Sequence, residues 1–335
     1  MRAAIMQGLH KPLIVDTLPD PTPAAGELVV RVGRCGICGS DLHMNEDPGY
    51  GRGAGDVLGH EFAGEIVALG KDVEGFRTGD LVSVSPLQSC GQCAACRAGE
   101  VAWCDRFGLQ MGGYAEFALT RPNQCVRLPA SLSLADGAII EPLAVALHGI
   151  TLSGVKPGDK VLVLGAGPIG LGVAYWARRA GAGRVVVQDI NDYQRARALE
   201  MGAHDFITDR DDPVGASTRA LGGPADIVFE CVGVPGLIAQ AVRQLRPRGT
   251  ILLLGLCNKP DSFNSFAMLS KEIRLITSAF FTRGEYEAAL DALDRGSAEP
   301  RALVTDTISL DETPAVFESL KHRTHQCKVL IAPGR

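Results

Sequence analysis

The chain has no surplus of basic residues. Its 33 Lys+Arg stand against 38 Asp+Glu, a formal net charge of -5, so there is no positive excess to bind a phosphate backbone. A nucleic-acid partner is not expected. No run of 18 consecutive apolar residues occurs, so no membrane partner is expected either. The opening MRAAIMQGLH carries no apolar stretch before a cleavage site, which gives no secretory signal and a cytoplasmic expectation. Internal repeats and low-complexity segments are missing from the sequence as well. Hydrophobic residues at 46% against 21% charged exclude extended disorder.

What the chain does have is length for two cores, since 335 residues at about 150 per domain make roughly two domains. Its 40 glycines exceed the usual share of about 7% and imply many tight turns. Residues 1–147, with short β-branched runs such as LVVRV and GEIVALG, read as a β-rich domain. ADGAIIEPLAVALHGITLSG (135–154) is too densely apolar for a strand and reads as a helix broken at Pro142. Over residues 148–282 strand and helix patterns alternate, beginning VLVLGAGPIG, GLGVAYWARRAG, RVVVQDI and RARALEMGA, with ADIVFECVG, TILLLGL and IRLITSAF following. Fully apolar strands between helices imply a doubly wound parallel sheet, and the fold class is α/β. The tail, 283–335, holds an amphipathic helix and the strand-like VTDTISL and CKVLIAP, which return to the first domain.

In VLVLGAGPIG the residues Gly165, Gly167, Pro168, Ile169 and Gly170 form a G-x-G-x-x-G turn after a strand and at the start of a helix. Such a turn lets a pyrophosphate approach the backbone at a helix N-terminus. The next strand ends in Asp189, placed to accept ribose hydroxyls and repel a 2′-phosphate, which favours NAD over NADP. Arg195, on the following helix, is the residue that speaks for caution there.

Ten cysteines are present, and Cys90, Cys93, Cys96 and Cys104 lie in one short loop with two, two and seven residues between them. Without a secretory signal such a cluster reads as metal ligands rather than disulfides. Four thiolates on short loops suit a closed, structural zinc; an iron–sulfur cluster uses similar spacing. A second, dispersed set comprises Cys38, His60 and a carboxylate, Glu61 or Glu141, three ligands that leave one zinc position open. Asp41 is placed to bond His60, and Ser40 and His43 to move a proton between a bound alcohol and solvent. Cys35, Cys125, Cys231, Cys257 and Cys327 read as small buried side chains.

GICGSDLH, GHEFAGEI, the four-cysteine loop, GGYAEF, IEPLAVALHG and VLVLGAGPIG follow one another in the order seen in the zinc-dependent medium-chain alcohol dehydrogenases. The sequence resembles the branch with sorbitol, threonine and butanediol dehydrogenases, because Glu141 stands where alcohol dehydrogenases proper carry a third zinc-binding cysteine. The resemblance implies a GroES-like catalytic domain, a Rossmann domain binding NAD, and two zincs per chain. It also implies a small alcohol or ketone substrate, hydride transfer between the carbinol carbon and nicotinamide, a homodimer or homotetramer, and carboxylate exchange between Glu61 and Glu141.

Met44, Phe280 and Phe281 stand where the sorbitol enzyme has a tyrosine and polyol-binding groups. An apolar replacement leaves a polyol hydroxyl unpaired at about 1–3 kcal/mol each, which points to a secondary alcohol less polar than a polyol. Trp103, Leu109 and Met111 are further lining candidates. A polyol, threonine or butanediol substrate is the alternative. A zinc-ribbon binding module or a catalytically silent NAD-binding scaffold are the non-enzymatic ones.

Overall fold

A computed structural model describes residues 1–334. The chain divides into two compact units: Met1–Glu141 with Thr282–Ser297 and the stretch from Val304 onward, and Pro142–Phe281 with Ala298–Leu303.

The first unit is built on a seven-stranded sheet. Its path runs Val304–Ser309, Lys328–Ala332, Leu28–Gly36, Glu61–Leu69, Leu81–Val84, Cys125–Arg127, and Phe117–Thr120 also pairs with Leu28–Gly36. The two C-terminal strands pair with each other in parallel, and Lys328–Ala332 joins Leu28–Gly36 antiparallel. Val30, Val32, Cys35, Phe62, Ile66, Val82, Val84, Val329 and Ile331 form part of its core. Along LVVRV the side chains of Leu28, Val30 and Val32 share one face and enter the core, and Arg31 on the other face is exposed.

The second unit holds a six-stranded parallel sheet in the order Asp205–Ile207, Arg184–Gln188, Lys160–Leu164, Ala225–Glu230, Leu245–Leu253, Arg274–Thr277. Numbered along the chain this is 3-2-1-4-5-6, the doubly wound order of dinucleotide folds. Val161–Leu164 and Val185–Val187 are buried throughout, as strands covered on both faces must be.

One helix, Leu134–Ser153, carries the chain through Pro142 without the expected break. A mid-helix proline costs about 3 kcal/mol, but Ala138, Ile139, Ile140, Leu143, Ala144 and Ala146 are all at most 1% exposed. Burying each large side chain contributes about 1.5–3 kcal/mol, so the packed stripe outweighs the missing N–H. The division between units falls inside this helix, six residues before the boundary read from sequence. By length and mean hydropathy the helix could cross a membrane, yet 67% of its most apolar window is buried within the protein. It is a core helix.

Candidate active site

Cys38 is the N-cap of the helix Gly39–Glu46, and the Asp41 carboxylate reaches back to accept the Cys38 backbone N–H at 3.0 Å. This closes the helix start and fixes the thiol. Asp41 is fully buried. It accepts from the Tyr114 hydroxyl at 2.6 Å and from His60 Nδ1 at 3.2 Å. Burial alone would raise the Asp41 pKa, but His60, Tyr114 and the Cys38 amide more than reverse it, so the carboxyl is held below its ordinary value. For His60 burial pulls the other way, and the Asp41 charge overcomes it to raise the imidazole well above its usual range. With the Nδ1 proton committed to Asp41, Nε2 is the ring nitrogen that a metal ion would take in place of its proton.

Glu61 opens the strand Glu61–Leu69 directly after His60. One ligand atom from each of Cys38, His60 and Glu61 falls within 4.8 Å of the others. Thiolate, imidazole and carboxylate, with a carboxylate behind the imidazole, is a donor set that fits zinc with an open position. Glu141 is not part of this group. It lies buried in the long helix, and desolvation followed by the Glu61 charge pushes its pKa up to about 7.

The ligand atoms of Cys90, Cys93, Cys96 and Cys104 also fall within 4.8 Å of one another. Cys90 Sγ accepts backbone N–H groups from Gln92 and Cys93 at 3.5 and 3.4 Å, and Cys104 Sγ accepts from Cys90 and Arg106 at 3.2 and 3.3 Å. Those backbone donors bring the Cys90 thiol down to about 6. Cys104, against its backbone donors, is pushed up to about 11 by desolvation and by the Cys90 and Cys96 thiols, and four thiols this close fit a closed tetrathiolate zinc site.

In the second unit Gly165 takes φ 95° at the end of the strand Lys160–Leu164, and Gly167 is the N-cap of the helix Pro168–Arg179. A Cβ on Gly167 would meet nothing within 4 Å, so a phosphate can reach the free N–H groups of Pro168–Arg179's first turn. Asp189 accepts the Ala166 N–H at 2.8 Å and the Ile190 N–H at 2.6 Å, which anchors its carboxylate beside the glycine turn. The turn fits a dinucleotide.

Residues 24–130 match the family model for the alcohol dehydrogenase GroES-like domain, and 168–295 match the model for zinc-binding dehydrogenase. The sorbitol dehydrogenase of Halalkalibacterium halodurans is 34% identical over 95% of each chain. The chain belongs to the zinc-dependent medium-chain alcohol dehydrogenases. The enzyme is also 31% identical to the (R,R)-butanediol dehydrogenase of Bacillus subtilis over 97% of this chain and 98% of that one. An alcohol dehydrogenase of E. coli CFT073, solved with NADH, has a TM-score of 0.90 at 29% identity and 99% coverage of both chains.

Other candidate residues of the enzyme differ in burial. Met44 lies on the inner face of its helix: Asp41, Met44 and Asn45 are the buried residues there, an i, i+3, i+4 face, and Met44 belongs to the same core cluster as Met111. Phe281 is likewise buried, at 2% exposure. Trp103 is 63% exposed, and Leu109 packs beside the core. Phe280 is partly exposed and has φ 61°, a left-handed backbone that a bulky residue rarely adopts. Ser40 is half-buried and His43 is exposed. Arg195 stacks over Phe206 and donates to its carbonyl at 2.7 Å. Tyr114 was hidden in the GGYAEF segment, where nothing local announces its bond to Asp41.

Proposed function

We propose that the enzyme interconverts a secondary alcohol and its ketone with NAD(H), on a substrate less polar than a sugar polyol. The observation that carries the reading is the Cys38–His60–Glu61 cluster backed by Asp41, in a chain that also holds the Gly165–Gly170 turn. When bound, zinc supplies a Lewis-acid charge that eases deprotonation of an alcohol, and nicotinamide accepts the hydride of the carbinol carbon. The chain's own residues supply the rest. Asp41 fixes the His60 tautomer. Gly167 leaves room for the pyrophosphate, and Asp189 receives the ribose hydroxyls.

Ser40 and His43 conduct the alcohol proton to solvent, a role supported by their place two and five residues after Cys38 and by the exposure of His43. Ser40→Ala and His43→Ala are each expected to lower turnover on the order of 10²-fold and to shift the pH–rate profile. An unchanged rate and profile in both variants removes the relay.

Among the three apolar candidates Phe280 carries most of the support, being partly exposed where Met44 and Phe281 are buried. Its left-handed backbone is the kind of strain, roughly 1–3 kcal/mol, that concentrates at functional sites. The deciding experiment follows NADH absorbance across secondary alcohols and polyols, with NAD and with NADP, on protein of known zinc content. The expected result is a kcat/KM for 2-butanol well above that for sorbitol and a preference for NAD on the order of 10²-fold. Comparable sorbitol turnover overturns the apolar assignment, and equal use of NADP overturns the role of Asp189.

A further inference from the structure

Lys328 is the one Lys or Arg side chain that is fully buried among the described residues, at 1% exposure. Its Nζ donates to the two Glu61 oxygens at 2.7 and 2.6 Å and to the Ile37 carbonyl at 3.1 Å, which uses all three ammonium protons. Burial disfavours its charge, but the Glu61 carboxylate more than compensates, and the pKa stays above the ordinary lysine value.

Three segments are shaped around this pair. Lys328 opens the C-terminal strand, Glu61 opens its own, and Leu28–Gly36 runs between them. The intervening strand passes the pair at Gly36, where a Cβ would lie 2.0 Å from Glu61 Oε2 and 3.1 Å from Lys328 Cδ. Glycine is required there for the lysine to reach across. Stability does not account for the arrangement, because a buried ion pair is commonly matched or bettered by apolar residues of similar volume. The carboxylate that Lys328 grips is the one within 4.8 Å of the Cys38 and His60 ligand atoms.

Building on the zinc dehydrogenase reading, we propose that Lys328 is a positioning residue that makes Glu61 a weak, displaceable zinc ligand. The ammonium orients both carboxylate oxygens and withdraws their charge. It also adds a positive charge beside the metal position, so the metal is held less tightly by Glu61 and yields more readily to a substrate oxygen. A lysine with a purely structural role would have the opposite effect when removed, because a loosened site sheds its metal faster.

The test uses the full chain with its zinc counted first and cobalt then placed in the open site. Loss of cobalt to the chelator dipicolinate is followed by its visible bands in the native protein, Lys328→Met, Lys328→Gln and Lys328→Arg. The two neutral variants are expected to lose cobalt on the order of tenfold more slowly than the native protein, and Lys328→Arg at the native rate. Equal or faster loss in the neutral variants overturns the proposal. If Lys328→Met does not fold, Lys328→Gln, which keeps a donor for Glu61 without the charge, decides alone. A native protein with only one zinc per chain overturns the dehydrogenase reading together with this one.

Discussion

Cys38→Ala is expected to give a folded protein with one zinc per chain in place of two and turnover at least about 10⁴-fold lower. The thiol sits at the N-cap of Gly39–Glu46, so its loss costs the helix about 1 kcal/mol, too little to unfold the unit. The metal site suffers more. Without Cys38 only His60 and Glu61 remain in the cluster, and Glu61 is already gripped by Lys328. Two donors, one of them compromised, do not retain zinc against water. A Lewis acid contributes several kcal/mol to the reaction barrier, and each 1.4 kcal/mol or so is a factor of ten. Coenzyme binding should persist, because the glycine turn and Asp189 belong to the other unit. Zinc content by mass spectrometry, NADH binding by fluorescence and turnover by absorbance read the three consequences separately. Two retained zincs with native turnover would remove Cys38 from the site.

How far the chain can be read without its structure depends on how far apart the cooperating residues lie. The four cysteines span fifteen positions and the glycine turn six, so spacing alone declares both. Cys38 and Asp41 share one turn of helix, and their cooperation is equally local. Lys328 and Glu61 stand 267 residues apart, and Tyr114 and Asp41 stand 73 apart. In CKVLIAP a lone lysine reads as a solvent-facing strand position, and only the register of three strands turns it inward. The burial of Met44 is hidden for a related reason. Adjacency to His43 says nothing about direction, and the helix places Met44 with Asp41 and Asn45 on the buried face while His43 points to solvent. Pro142 misleads by a third route, since the intrinsic penalty of proline is legible and the burial that exceeds it is not. The parallel sheet was legible because its strands are apolar on both faces, a pattern that needs no partner to be recognised.

Cys96→Ser is expected to release the second zinc and to leave catalysis at the open site as the better-preserved property. The segment from Ser89 to Phe107 contains only the short helices Ala94–Arg97 and Val101–Trp103. Ala102 and Cys104 are its only buried residues. The two-residue strands Leu87–Gln88 and Gly108–Leu109 close its base. Such a lobe has too little apolar area to order itself, and backbone donors to Cys90 and Cys104 sulfurs tie its loops to the thiolates. Metal binding is then the folding energy of the lobe, with several kcal/mol lost when one ligand is removed. The expected readouts are one zinc per chain, a thermal midpoint lower by roughly ten degrees, and rapid tryptic cleavage after Arg97 or Arg106, both outside any packed core. Peptide mapping locates the cuts. Cleavage elsewhere first, or a midpoint and zinc content equal to those of the native protein, would mean that the lobe is held by its chain contacts and not by the ion.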